Sequence, residues 1–294
     1  MKTLVFVAAL AGLTSHSAPA VAQSKPPLRT DQVRVVYLQP KEARHEAIHS
    51  ALQERRIFEI LRSLLRPFRL PRQLTLEVKS CDGQVDAYYA NDTVTLCYEY
   101  IELIEQHAPR VGTPAGLARA DATVGAIIDT LLHEVGHAIF DMLEIPVLGR
   151  EEDAADLFSA YILLQFAPDD ARRLIQGVGF MMASEAKAAL EEPPGLKIFS
   201  NEHGLPAQRY YNLLCMAYGS NPKIFGNMVL RGRLPKERAD GCAGEYAMLR
   251  RAFSKLILPY VDEAMQRDAL TQVRFNWGPL VPPTDGLDAP PLAK

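Results

Sequence analysis

The chain reads as an α+β protein in which a small sheet precedes a predominantly helical half. Three observations lead there. Short alternating or β-branched segments separated by turn residues are confined to the first hundred residues; from Asp121 onward apolar residues recur at helical spacing; and two histidines four apart, His133 and His137, sit inside an almost wholly apolar helical stretch.

Taken in order, Met1-Lys2, the apolar run Leu4 to Leu13 and the small residues Ala20-Val21-Ala22 before Gln23 have the layout of a secretory signal peptide over residues 1–22. The mature chain is therefore expected to be secreted or periplasmic. The apolar run is too short to span a bilayer, and no later stretch approaches 18 uncharged apolar residues, so no stable membrane insertion is expected after cleavage. What remains, about 270 residues, is enough for one domain with a substantial core, assigned to residues 23–275.

Val33 to Leu38 alternates like a strand, and His45 to Leu65 reads as one helix with Ile48, Leu52, Ile57, Leu61, Leu64 and Leu65 mostly on one side, ended by Pro67 and Pro71. Leu74–Val78, Asp86–Tyr89 and Thr93–Tyr98 read as short strands bounded by Asp82-Gly83 and Asn91-Asp92, which predicts a mostly antiparallel sheet. Helices are expected near 121–143, 151–166, 169–191, 206–219 and 243–260, with breaks around Pro146 and Pro168. The stretch from Asn276 to Lys294 holds five prolines and reads as a loosely held tail.

The formal charge of −3 becomes one unit more negative when Lys2 is removed, and so mild a balance argues against nucleic acid as a partner. Four cysteines make an even count in an exported chain, and no two are separated by only two residues, so disulfides are favoured over a thiolate metal site. Sequence order suggests Cys81 with Cys97, closing a hairpin through Asn91-Asp92, and Cys215 with Cys242; three pairings are formally possible.

The chemistry concentrates in His133-Glu134-Val135-Gly136-His137 and in Glu151-Glu152-Asp153-Ala154-Ala155-Asp156. Histidines four apart on a helix lie about 40° from each other around the axis and roughly 6 Å apart along it, so both imidazoles can reach one ion. Among the three acids that open the second segment, only Glu152 has a carboxylate four residues later, at Asp156. Glu152 is thus the preferred third ligand over Asp153, and Asp156 the group that orients a ligand histidine, with Glu151 and Asp153 facing elsewhere. The same acidic run also suits a helix N-terminus, and the two readings are compatible. A Zn²⁺ held by three protein ligands keeps a position for water and lowers its pKa toward roughly 7, leaving Glu134 to take the proton. The spacing alone is weak evidence, because His45-Glu46-Ala47-Ile48-His49 repeats it. That copy is flanked by Lys41, Glu42, Arg44, Glu54, Arg55 and Arg56 and has no acid pair at a useful distance, so it reads as the solvated end of an amphipathic helix.

A sheet, then a helix with both histidines, then a helix with the glutamate resembles the zincin fold in its glutamate-ligand branch, the gluzincins. A narrower resemblance, over roughly residues 70–260, is to a bacterial family of zinc metallopeptidases catalogued as a domain of unknown function. It rests on Ser80-Cys81, Ala87-Tyr88-Tyr89, Leu96-Cys97-Tyr98-Glu99, Leu131 to Ala138, Pro146 to Asp156, Glu202-His203-Gly204-Leu205, Gln208 to Asn212 and Tyr218-Gly219-Ser220, with Asp86 where the family usually has asparagine. The resemblance implies an exported zinc peptidase acting on a peptide or protein, with His133, His137 and Glu152 as ligands and Glu134 as base. Gluzincins often stabilise the oxyanion with a histidine or tyrosine from the helical half; His203 is the preferred candidate, ahead of Tyr210 and Tyr211. Arg209 is expected to pair with Asp156 or Glu151, and Tyr98, Glu99 and Tyr100 to lie on an edge strand. The competing class is a secreted, non-catalytic zinc-binding module, which would show four protein ligands and no use for Glu134.

Overall fold

The computed structural model describes residues 26–110, 112–113, 116–191 and 195–278. The signal segment 1–22 and tail residues 279–294 lie outside these. Four strands, β1 (Val33–Tyr37), β2 (Leu74–Lys79), β3 (Ala87–Ala90) and β4 (Thr93–Cys97), form one sheet in the order β1-β2-β4-β3. β2 alternates as read, with Leu74, Leu76 and Val78 fully buried. The expectation of a mostly antiparallel sheet is corrected: β1 with β2 and β2 with β4 are parallel, and only β3 with β4 is antiparallel. Parallel neighbours need a long crossover. Two helices, α1 (Glu46–Arg55) and α2 (Ile57–Leu65), supply it between β1 and β2. The β3–β4 hairpin then folds back so that β4, not β3, lies beside β2. Its turn residues Asn91 and Asp92 both have positive φ, 50° and 58°, as a two-residue hairpin turn requires.

The single helix expected over His45–Leu65 is broken at Arg56, which adopts a left-handed conformation at φ 57°. At about 100° per residue, the apolar positions 57–65 would lie roughly half a turn away from Ile48 and Leu52 on one straight helix. The break lets α1 bury Ile48, Ala51 and Leu52 while α2 buries Ile57, Phe58, Leu61, Leu64 and Leu65. His45 and His49 are likewise buried rather than solvated. The Tyr98 hydroxyl lies 2.6 Å from His49 Nδ1 and donates to the Leu38 carbonyl, and His45 Nε2 is 3.1 Å from Glu102. The first H-E-x-x-H copy is thus occupied in packing the sheet's flank.

Tyr98–Tyr100, read as edge strand, instead open helix α3 (Tyr98–His107). The aromatic residues favour a strand locally, but Tyr98, Ile101 and Ile104 recur at three-residue steps and are all buried, so tertiary packing follows the helical period. The long helix α4 (Arg119–Met142) crosses the core and carries both motif histidines. Then come α5 (Glu151–Leu163), α6 (Pro168–Glu191), α7 (Pro206–Ser220), the single turns α8 (Pro222–Phe225) and α9 (Asn227–Leu230), α10 (Lys236–Leu256) and α11 (Glu263–Gln272). α10 begins seven residues before the expected 243, and α11 was not foreseen. Among the described residues, no helix is long and apolar enough to cross a membrane.

Two disulfides staple the molecule. Cys81–Cys97 ties the loop after β2 to the end of β4, and Cys215–Cys242 ties α7 to α10. Asn276–Gly278, counted with the tail, are anchored: Arg55 donates to the carbonyls of Asn276 and Gly278, and Trp277 donates to Asp170 while its ring lies 4.0 Å from the Arg173 guanidinium.

Two close helix approaches fix α4. A Cβ on Gly177 of α6 would run into the Asp121 carbonyl of α4, and a Cβ on Gly136 would lie 3.2 Å from the Ala155 Cα of α5. Gly177→Ala is expected to destabilise the fold by about 2–3 kcal/mol through overpacking, seen as a lower urea midpoint. An unchanged midpoint would show that α4 and α6 do not depend on this contact.

Candidate metal centre

The close approach at Gly136 brings the first turn of α5 over the histidines of α4. Three atoms converge there. His133 Nε2 lies 3.2 Å from His137 Nε2 and 3.0 Å from Glu152 Oε2, and His137 Nε2 lies 3.4 Å from the same oxygen. On their far sides the rings are already engaged: His133 Nδ1 is 2.9 Å from Asp156 Oδ1, and His137 Nδ1 is 2.8 Å from Glu151 Oε1. If each Nδ1–H donates to its carboxylate, both neutral imidazoles turn a bare Nε2 lone pair toward the other and toward a carboxylate oxygen. Three acceptors facing one another repel unless a proton or a cation lies among them. Donors held at about 2.0–2.2 Å around one tetrahedral divalent ion stand roughly 3.3–3.6 Å apart, so the spacing is close to what such an ion needs.

Asp156 is itself held. Arg209 of α7 donates to both its oxygens, at 2.8 Å each, so one chain of contacts runs from α7 through α5 to α4. Burial pushes the Asp156 carboxyl up, but Arg209 and His133 outweigh it and hold the group well below the usual carboxylate range. Glu152 is lowered in the same direction, first by its bond to His133. Burial would pull His133 down, yet Asp156 and Glu152 overcome this and raise it to about 10. Glu134 differs. It is 9% exposed, no described residue donates a hydrogen bond to it, and burial pushes its carboxyl up to about 7.

His133, Glu134 and His203 border a cavity of about 280 Å³ that Asp86, Tyr100 and Glu185 also line. His203, on the loop before α7, places Nε2 2.8 Å from Glu152 Oε2, and its ring stacks on that of His133 at 5.7 Å. His133, Glu152 and His203 form one group whose ligand atoms all lie within 4.8 Å of one another. Cys81, Cys97 and Glu99 also lie close together, but the two cysteines are joined in the disulfide, and His45 and His49 belong to no such group among the described residues.

The structure therefore brings together His133, His137, Glu152, Asp156 and Arg209, with His203 and Glu134 beside them. It does not bring in Tyr210 or Tyr211, which pair with each other at 5.2 Å and do not line the cavity. Tyr100, accepting a 3.3 Å bond from Thr130, does line it. Glu151 corrects the expectation that it faces away. The rule that a second carboxylate must follow at helical spacing ignores how the first residue of a helix can reach past its end toward His137. Asp153 does point elsewhere, toward Arg150. Asp129 was not singled out; it contacts Ser159 at 2.5 Å and burial raises it to about 6. Its place four residues before His133, on the same face of α4, was the available signal.

Raised to about 10, His133 carries a proton at neutral pH in the metal-free protein, whereas a metal ligand must be bare. Metal uptake is therefore expected to release about one proton at pH 7, and apparent affinity to weaken about tenfold per unit as pH falls from 8 to 6. Calorimetric titration in two buffers of different ionisation enthalpy checks this; identical heats would contradict it.

A family model described as "Putative metallopeptidase" matches residues 37–257. No curated protein and no solved structure matches the chain.

Proposed function

The chain belongs to this metallopeptidase family, and from that premise we propose that it is an exported, zinc-dependent peptidase of the gluzincin type, built on a zincin-like domain over residues 23–275. His133, His137 and Glu152 would hold the ion. Two imidazoles and one carboxylate are a donor set suited to zinc with a position left open. Zinc bound there supplies Lewis acidity, lowering the pKa of water toward about 7 and polarising a carbonyl. The signal segment, the two disulfides and the absence of a spanning helix among the described residues support export to the periplasm or beyond. The substrate is a peptide or protein.

The observation that carries the reading is Glu134: a nearly buried carboxylate, without a hydrogen-bond donor, on the wall of the cavity that also meets His133 and His203. A purely structural centre has no use for it. A group raised to about 7 can accept the proton of an attacking water and return it to the departing amine near neutral pH. Asp156 keeps His133 in the tautomer that presents Nε2, and Arg209 keeps Asp156 ionised and in place. His203, 42% exposed at its side chain beside Glu152, would donate to a developing oxyanion.

The same His203 favours a second reading. Its 2.8 Å contact with Glu152 would also suit a fourth protein ligand, closing the site into a non-catalytic zinc module. His203→Ala separates the two: the peptidase keeps its metal and loses turnover, whereas the closed module loses metal.

Metal analysis of wild type, Glu134→Ala and Glu152→Ala, coupled to cleavage of a mixed peptide library, tests the whole assignment. Glu134→Ala is expected to retain zinc and lose about 10²–10⁴-fold in turnover, and Glu152→Ala to bind metal much more weakly. Equal metal content with unchanged cleavage in all three would overturn it.

A further inference from the structure

A second and larger cavity, about 790 Å³, opens between α5, α7 and α10. It shares Asp129, Met182 and Arg209 with the cavity at Glu134, and Asp156 lines it as well, so the two adjoin through the residues that hold the candidate metal centre. Its wall is largely apolar: Leu157 from α5, Leu213 and Met216 from α7, and Met248, Leu249 and Leu256 from α10. Met248 is 61% exposed at the groove's rim, where it continues the apolar lining out to solvent. Arg251 and Lys255, four apart on α10 and both exposed, also line the cavity and pair with no acidic group among the described residues. The stretch of α10 that borders it, Glu245 to Leu256, runs about 16 Å, the length of about five residues of extended chain.

We propose that this groove is the substrate-binding cleft of the peptidase described above, on which the inference rests. It takes a peptide with bulky apolar side chains close to the scissile bond and an acidic side chain or terminal carboxylate within the same five-residue stretch. Three features select this occupant over others. Asp129, Met182 and Arg209, common to both walls, set the groove beside the cavity that Glu134 lines. The volume falls within the roughly 300–1,000 Å³ of sites that enclose most of a small ligand, and apolar lining with a few fixed charges is what such sites use for selectivity. The acids of the lining are already engaged, Asp129 by Ser159, Asp153 by Arg150, Asp156 by Arg209 and Glu245 by Arg238, whereas Arg251 and Lys255 are left unneutralised for an acidic group of the ligand.

The experiment uses the full mature chain loaded with zinc. Cleavage of pentapeptides carrying Leu or Phe together with Asp is compared with that of peptides in which Ala replaces the bulky residues or Lys replaces Asp. Binding of the same fluorescein-labelled peptides to Glu134→Ala is followed by anisotropy. The groove variants are Met248→Glu and the double variant Arg251→Glu with Lys255→Glu, all at exposed positions, with thermal melts confirming that they fold. Wild type is expected to prefer the apolar, acidic peptides at least tenfold in kcat/KM. Met248→Glu should raise KM about tenfold with kcat little changed, and the charge reversal should invert the choice between Asp and Lys.

The same ranking in binding without any cleavage would support the groove and overturn the peptidase reading. Cleavage with no ranking, or ranking unmoved by the groove variants, would overturn the groove and leave the peptidase reading standing. Capture of a long amphipathic helical peptide in preference to every pentapeptide would also overturn the proposal, making the groove a docking surface instead.

Discussion

Three lone-pair-bearing atoms, His133 Nε2, His137 Nε2 and Glu152 Oε2, are held within 3.0–3.4 Å of one another. With neither a proton nor a cation among them they repel, and the surrounding structure prevents each from turning away. Asp156 and Glu151 engage the opposite nitrogens of the two rings, and Arg209 engages Asp156. A positive charge at their meeting point changes the balance from repulsion to cohesion, and in the proposed centre it is a zinc ion. The rest of the fold reads as a means of keeping three separate helices, α4, α5 and α7, at the distances this arrangement needs.

The means are ordinary packing forces. α4 is buried along most of its length and lies against both the sheet and α6. Its ionisable residues are tolerated in that setting because they are mutually satisfied, Asp121 by Arg173 and His133 by Asp156 and Glu152. Glu134, which lacks such a partner, sits at a cavity wall instead. The contrast between satisfied and unsatisfied acids on one helix separates groups that hold the structure from a group available for chemistry.

Much of this was legible in the sequence, and what was not has physical causes. Helices α4 to α7 declare themselves because their apolar period is sustained, and the spacing of Glu152 and Asp156 is a property of the helix alone. Sheet direction was misjudged because strands of four to six residues carry no record of which neighbour they pair with; that is decided by the α1–α2 crossover. The break at Arg56 was hidden, although the apolar positions on either side of it are about half a turn out of phase. Tyr98 misled because an aromatic after a strand looks like more strand until Ile101 and Ile104 are counted with it. His203 could be named but not placed, since a loop residue obeys no periodicity, and the groove along α10 depends on which faces of three distant helices remain uncovered.

Gly136 bears on how such patterns should be searched for. The two H-E-x-x-H segments differ at the residue before the second histidine, which is Gly136 in one and Ile48 in the other. Where the side chain is absent, a neighbouring helix can settle close enough to lend a carboxylate; where a branched side chain stands, the same face is filled by its own packing, and Ile48 is 5% exposed. Histidine spacing shows that two rings can point one way. The vacancy beside them indicates whether a third donor from elsewhere in the chain has room to arrive.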